Sequence, residues 1–406
     1  MRRAGVALAA ALVTLAGCDA PVPVVTDPAA PPAAEPPPLA GYGAALAPGP
    51  VRIANADLAA AFVALSFFRE DGRELPHLLR FETPIRVRMQ GFARHAGDLS
   101  RLLARLRREA GIDIAIAPPS ESENLRIEPA PAAALTRIFP AARCVVVPGL
   151  VTWPDYRARL EAGGRPDRKT ADRIAAATIF IRDSATPQQV RNCLDEELAQ
   201  ALGPGNDLYR LPESVFNDDN VHERLTRFDL LMLRVLYDER LHSGMDRATA
   251  QEAARAVLDE INPAGRRIAR RPGQRPAPQW HAIVAGVFEA RPGAQDRRAA
   301  LTRALRIAEG FPQPDPRLAI TLDFLATAEF DRDPRRAEAL MERAVDSLAR
   351  NFPPGDLRLA VFRVYLAQIR LGLGRHESAL ALVDAALPAL IAHAAATRID
   401  QALRIR

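Results

Sequence analysis

The run Glu196-Glu197-Leu198-Ala199-Gln200-Ala201-Leu202-Gly203-Pro204-Gly205-Asn206 decides how this chain is read. Upstream of it, Thr186-Pro187-Gln188-Gln189 supplies a helix N-cap, a proline at the first helical position and a capping-box glutamine. The helix predicted from that start runs to about Leu202, where Gly203-Pro204-Gly205 breaks it. Glu196 and Gln200 lie four residues apart and so share one helix face. Ahead of the helix, Ile174 to Ile181 reads as a buried strand.

The run resembles the frame of the metzincin zinc signature, H-E-x-x-H-x-x-G-x-x-H. The general-base glutamate is kept as Glu197 and the turn glycine as Gly203, but Glu196, Gln200 and Asn206 stand where the three histidines would be. Matrixin-type metzincins continue with a methionine turn, then L-T-x-x-D and a helix ending in L-Y. This chain continues with Ser214-Val215-Phe216, Leu225-Thr226-Arg227-Phe228-Asp229 and Leu236-Tyr237-Asp238, with Phe216 at the methionine position. The resemblance spans roughly 174 to 240. It implies an α+β fold: a metzincin-like mixed sheet followed by the long signature helix. Residues 51–262 also resemble a domain-of-unknown-function family of bacterial lipoproteins. That family typically carries E-E-x-x-Q, L-G-x-x-N-D and L-Y-D-x-R, found here from Glu196, Leu202 and Leu236. No activity comes with that resemblance.

Zinc in such a site needs three neutral imidazoles and an open fourth position. Glu196, Gln200 and Asn206, with Asp207 as a substitute for Asn206, offer only oxygen. That set suits calcium or magnesium better than zinc and is thin even for those. Without a metal to polarise water, Glu197 has nothing to act with as general base. The expectation is therefore no metal and no cofactor, with Glu197 as the sole catalytic candidate. Three readings stay open: a polar patch satisfied by arginines or backbone, a ligand- or peptide-binding cleft, and a working site.

The N-terminus reads as a secretion signal, with Arg2 and Arg3 before an apolar stretch from Ala4 to Leu15 that is too short to span a membrane. Leu15-Ala16-Gly17-Cys18 resembles the bacterial lipobox, which implies acylation of Cys18. The chain is thus expected in a Gram-negative-type cell envelope, anchored by lipid and facing the periplasm, with Asp19 favouring the inner membrane. The other two cysteines, Cys144 and Cys193, are expected to form a disulfide in that oxidising compartment, or else to be two buried thiols. A bridge would pin the signature helix to a strand.

Net charge is +5, and losing Arg2 and Arg3 with residues 1–17 leaves +3. Lysine occurs once, at Lys169, and acidic residues are interspersed throughout. With no clustered basic face, nucleic acid is not an expected partner.

The domain plan runs outward from these points. Residues 1–17 are the signal and 18–50 a Pro/Ala-rich tether. Residues 51–262 form the metzincin-like domain, 263–280 a basic linker, and 281–406 a helical domain. In that last part Arg317-Leu318-Ala319 recurs as Arg358-Leu359-Ala360 and Leu325-Ala326 as Leu366-Ala367. The spacing resembles tetratricopeptide-like repeats, whose small residues Ala304, Ala326, Ala344, Ala367 and Ala379 would let helices approach. A plain helical bundle is the other reading. The function expected is a non-catalytic envelope module that binds a protein or peptide partner. The alternative is an envelope hydrolase using Glu197.

Overall fold

Alternation of Ile85, Val87 and Met89 with Arg86 and Arg88 produces the first strand of the sheet, β1 (Ile85–Met89). The computed structural model describes residues 51–69, 73–139, 142–164, 171–211, 213–217, 221–270, 277–289, 293–393 and 395–406, all within one compact unit, Ala40–Arg406. The signal, Cys18, the tether and Lys169 lie outside the described residues. Five strands and fourteen α-helices are found among those described.

The N-terminal part runs α1 (Asn55–Ser66), β1, α2 (Ala96–Arg105), β2 (Ile114–Ile116), β3 (Leu125–Ala130), α3 (Ala132–Ile138), β4 (Cys144–Pro148), α4 (Trp153–Glu161), β5 (Ala177–Arg182), α5 (Pro187–Ala201), α6 (Arg227–Leu236) and α7 (Arg247–Ile261). The sheet order is β2-β1-β3-β5-β4. β2, β1, β3 and β5 are parallel, and β4 closes the edge antiparallel to β5. β5 is covered on both faces, which is why Ile179, Phe180 and Ile181 are apolar in succession. Ala177, Ile179 and Ile181 enter the main core, while Phe180 faces a smaller one with Leu135, Val147, Trp153 and Tyr156. Asn55, which by residue type and its place before Leu58, Phe62 and Leu65 reads as an N-cap for α1, instead sits inside: its Nδ2 donates to the carbonyls of Leu258 and Asn262, tying α1 to the end of α7. The helix still starts there because Ala54 supplies its non-helical entry.

The capping signal before α5 is realised in full. Gln189 N–H donates to Thr186 Oγ1 and Thr186 N–H donates to Gln189 Oε1. Cys144 of β4 and Cys193 of α5 form a disulfide, with their Cα atoms 6.0 Å apart.

The C-terminal part is all helix: α8 (Pro278–Glu289), α9 (Ala294–Ala308), α10 (Arg317–Glu329), α11 (Pro334–Asn351), α12 (Leu357–Gly372), α13 (His376–Ala392) and α14 (Ala396–Ile405). Successive helices pack on one another, and Ala304, Ala326, Ala344, Ala367 and Ala379 are all fully buried between them. The stretch read as linker begins as a 3-10 turn, Pro263–Arg267, and ends inside α8, because Trp280 is buried in the helical core.

Candidate functional site

α5 carries Glu197 on its buried side, at 6% exposure, while Glu196 and Gln200 are half-buried. The chain after α5 is pinned residue by residue. Tyr237 Oη donates to the Leu202 carbonyl at 2.9 Å. Gly203 has φ +150°, and a Cβ there would lie 2.6 Å from Leu236 Cδ2 and 2.9 Å from the Leu79 carbonyl. Gly205 N–H donates to the Leu65 carbonyl, and Asn206 Nδ2 to that of Ala64, both at the C-terminal end of α1. Asn206 is thus engaged with α1 and Asp207 is buried beside it. Among the described residues no group of three or more His, Cys, Asp or Glu side chains is placed to hold a metal. The donors at the signature do not fit a zinc centre.

Two downstream pieces of the sequence pattern are brought together. Asp229, fully buried at the start of α6, accepts from Ser214 Oγ at 2.5 Å, Val215 N at 3.2 Å and Thr226 N at 2.7 Å. The Ser-x-Phe turn is therefore held by the L-T-x-x-D motif, and Phe216 is buried in the main core. Burial pushes the Asp229 carboxyl up to about 6 against the pull of those hydrogen bonds. Near the start of α5, Asp98 of α2 accepts from His95, Arg101 and Arg191. Burial alone would raise its pKa, but these donors hold it below the usual carboxylate value. His95 keeps a buried Nε2 without a hydrogen-bond partner.

Sequence reasoning missed a seam. The described ends of the segment after the signature, residues 209–211 and 221–223, lie along the helical array. Tyr209 and Val221 belong to the helical core rather than to the sheet's core. The Tyr209 ring meets Trp280 edge-on at 5.3 Å and His281 at 5.5 Å. Leu211, braced by both amide atoms of Asn217, accepts from Arg358 at 3.3 Å. Glu223 accepts from the Thr397 N–H at 3.3 Å. The array meets this segment with a repeated corner, Phe-Pro-x-x-Asp-x-Arg-Leu-Ala, at 311–319 and again at 352–360. In each, the arginine forks onto the aspartate two residues earlier, Arg317 on Asp315 and Arg358 on Asp356. The same guanidinium lies over the phenylalanine ring, at 4.0 Å for Phe311 and 4.2 Å for Phe352. The recurrence was visible in the sequence, but nothing there said what the corners face.

His222, which flanks the signature in sequence, reaches this seam rather than the α5 face. With Glu213, Asp356 and His393 it lines a cleft of about 110 Å³, and its Nδ1 is buried without a partner. Burial, Arg358 and His393 depress its pKa to about 3. His281, on the other side of Tyr209, is depressed by burial to about 4.

Sheet, signature helix and seam define an α/β domain seated on an array of helices. Residues 55–256 match the family described as Protein of unknown function (DUF2927), so the chain carries a domain of that family. No curated protein and no solved structure matches the chain.

Proposed function

We propose that the chain is a lipid-anchored envelope protein whose first domain is a metzincin-like fold without zinc chemistry, acting as a binding or scaffold module for a protein or peptide partner. The observation that carries this is the donor set at the signature: Glu196, Gln200 and Asn206, with the Asn206 amide turned to the Ala64 carbonyl. The succession of buried strand, capped helix, glycine stop and a Ser-x-Phe turn held by Asp229 supports the fold part of the reading. The tetratricopeptide-like reading of the array draws on the repeated corners and on its small buried alanines. One edge of that array is taken by residues 209–211 and 221–223, so partner recruitment falls to its remaining faces. Acylation at Cys18 is read from the lipobox alone; labelling with a fatty acid, lost in Cys18→Ser, tests it.

The deciding experiment is metal analysis of residues 20–406 purified oxidised and without chelator. We expect less than about a tenth of an equivalent of any transition metal, calcium or magnesium. Near one equivalent, lost in Glu196→Ala or Gln200→Ala, would overturn the reading. A hydrolase using Glu197 is the second reading, favoured by the burial of that carboxylate on α5. An activity that disappears in Glu197→Gln would establish it.

A further inference from the structure

The chain downstream of the lipobox joins the folded domain at one place, and that place is basic. Residues 18–50 carry Asp19, Asp27 and Glu35 but no lysine, arginine or histidine. The residues that follow are clamped to the end of α7. Asn262 Nδ2 donates to the Val51 carbonyl at 3.0 Å and to Asn55 Oδ1 at 2.9 Å. A Cβ on Gly265 would lie 2.6 Å from the Ile53 carbonyl, so only glycine lets the two stretches come this close. Residues 51–53 and the turn Pro263–Arg267 therefore lie side by side.

Arg52 stands on one of these stretches and Arg266 and Arg267 on the other. All three are exposed, and their side chains make no hydrogen bond or ion pair among the described residues. Arg270, just beyond, has a side chain 72% exposed and holds Asp57 at 3.2 Å. The acidic side chains in the first turn of α1 and the last turn of α7 are already engaged: Asp57 by Arg270, Asp259 by Arg255 and Asn55, and Glu260 by Arg240. Arg52, Arg266 and Arg267 stay uncompensated. Exposed guanidiniums in this state are attracted to an extended anionic surface, whereas one small anion in open water would gain little from them.

We propose that Arg52, Arg266, Arg267 and Arg270 dock the domain on an anionic bilayer. The inference rests on the lipid anchor proposed above, because acylation at Cys18 would bring this end of the domain to a membrane: the tether ends at residue 50, two residues before Arg52. Tethering keeps the patch at an effective concentration of about a millimolar, so a weak attraction is enough to hold it down. Each basic side chain near an anionic surface strengthens binding by about fivefold, so four arginines give several hundredfold. Docking turns a domain that is merely leashed into one with a fixed face toward the membrane.

The test uses residues 20–406, which lack Cys18, so that the surface is read without the anchor. The chain is sedimented with vesicles of phosphatidylcholine alone or with about a third phosphatidylglycerol. Binding is expected to the anionic vesicles only, half complete at about a millimolar lipid and lost in about 0.5 M salt. Arg52→Gln/Arg266→Gln/Arg267→Gln should weaken it by about a hundredfold with an unchanged melting temperature, since no carboxylate loses a partner. Arg108→Gln/Arg343→Gln/Arg404→Gln removes the same charge from exposed ion pairs elsewhere and should change binding by less than about twofold. Equal losses in the two variants would overturn the proposal, since net charge alone would then account for binding. So would a failure to sediment with anionic vesicles, or displacement by inorganic phosphate at matched ionic strength. Binding that appears only after Asp27→Asn and Glu35→Gln also overturns it, by giving the patch to the chain's own tether. Fatty-acid labelling of the full chain reports separately: labelling without vesicle binding sinks the surface and leaves the anchor standing, and binding without labelling does the reverse.

Discussion

At Gly203 an added methyl group meets the Leu79 carbonyl and Leu236, whereas Gly374, also at positive φ, has nothing within 4 Å. Gly203→Ala should therefore cost about 2–4 kcal/mol, and Gly374→Ala only the backbone penalty of about 1–2 kcal/mol. Equal losses in denaturant titrations would refute the assignment of Gly203 as a packing glycine. Titrating residues give a second expectation. His222 and His281 have folded pKa values of about 3 and about 4, below the ordinary 6.5. Bases depressed in this way contribute stability that is complete above about pH 6.5 and is lost as the pH falls toward 4. Asp229 opposes them: pushed from 3.8 to about 6, the cost of burying its charge is lifted as the pH falls through 6. Two imidazoles against one carboxyl leave a net loss of about 1.4 kcal/mol per pH unit between roughly 6 and 4. Melting scans from pH 7.5 to 4.5 should show that decline; His222→Gln alone should flatten it, and His222→Gln with His281→Gln should reverse it, leaving the gain from Asp229. A wild-type melting temperature that climbs on acidification would contradict the account.

Among the elements, α5 is held most heavily. Its capping box sets one end, the glycine stop the other, and the Cys144–Cys193 disulfide ties its middle to the sheet edge across 49 residues of sequence. Closing a loop of that length restricts the unfolded chain by about 4 kcal/mol. Cys144→Ser/Cys193→Ser should lose a comparable amount, read as a lower denaturation midpoint that reductant no longer changes. This part of the fold was legible, because helix caps, alternating strands and cysteines act over short range or through pattern. β1 followed from Ile85, Val87 and Met89, and α5 from Thr186 and Gln189. What stayed hidden depends on distant partners. Asn55 reads as a cap until α7 offers it two carbonyls, and nothing near Tyr209 in sequence marks it as part of the helical core until the rings of Trp280 and His281 meet it. At the signature, the missing histidines were plain in the sequence, but the engagement of Asn206 with α1 was not.

For the molecule as a whole the seam makes one unit of two cores. The chain has two tryptophans, Trp153 in the small core beside the sheet and Trp280 in the helical core. In single-tryptophan variants, Trp153→Phe and Trp280→Phe, each remaining reporter should give the same denaturation midpoint. Arg358→Met removes the donor to Leu211 and leaves the half-buried Asp356 without its fork partner, which should cost about 2–3 kcal/mol. Placed in each single-tryptophan background, it should move the Trp280 midpoint below the Trp153 midpoint. Midpoints that already differ in the unmodified chain would mean the two cores unfold independently.

Helical repeat arrays commonly gain and lose whole units, since each unit touches only its neighbours. The corners of this array lie 41 residues apart, at Asp315 and Asp356, yet they meet a stretch only from Tyr209 to His222. One more hairpin inserted between α10 and α12 would carry Arg358 off Leu211 while Arg317 stayed in place. Copy number is thereby frozen: relatives that keep Tyr209–Glu223 should keep the same count of hairpins, and duplications within the gene should survive only beyond α14.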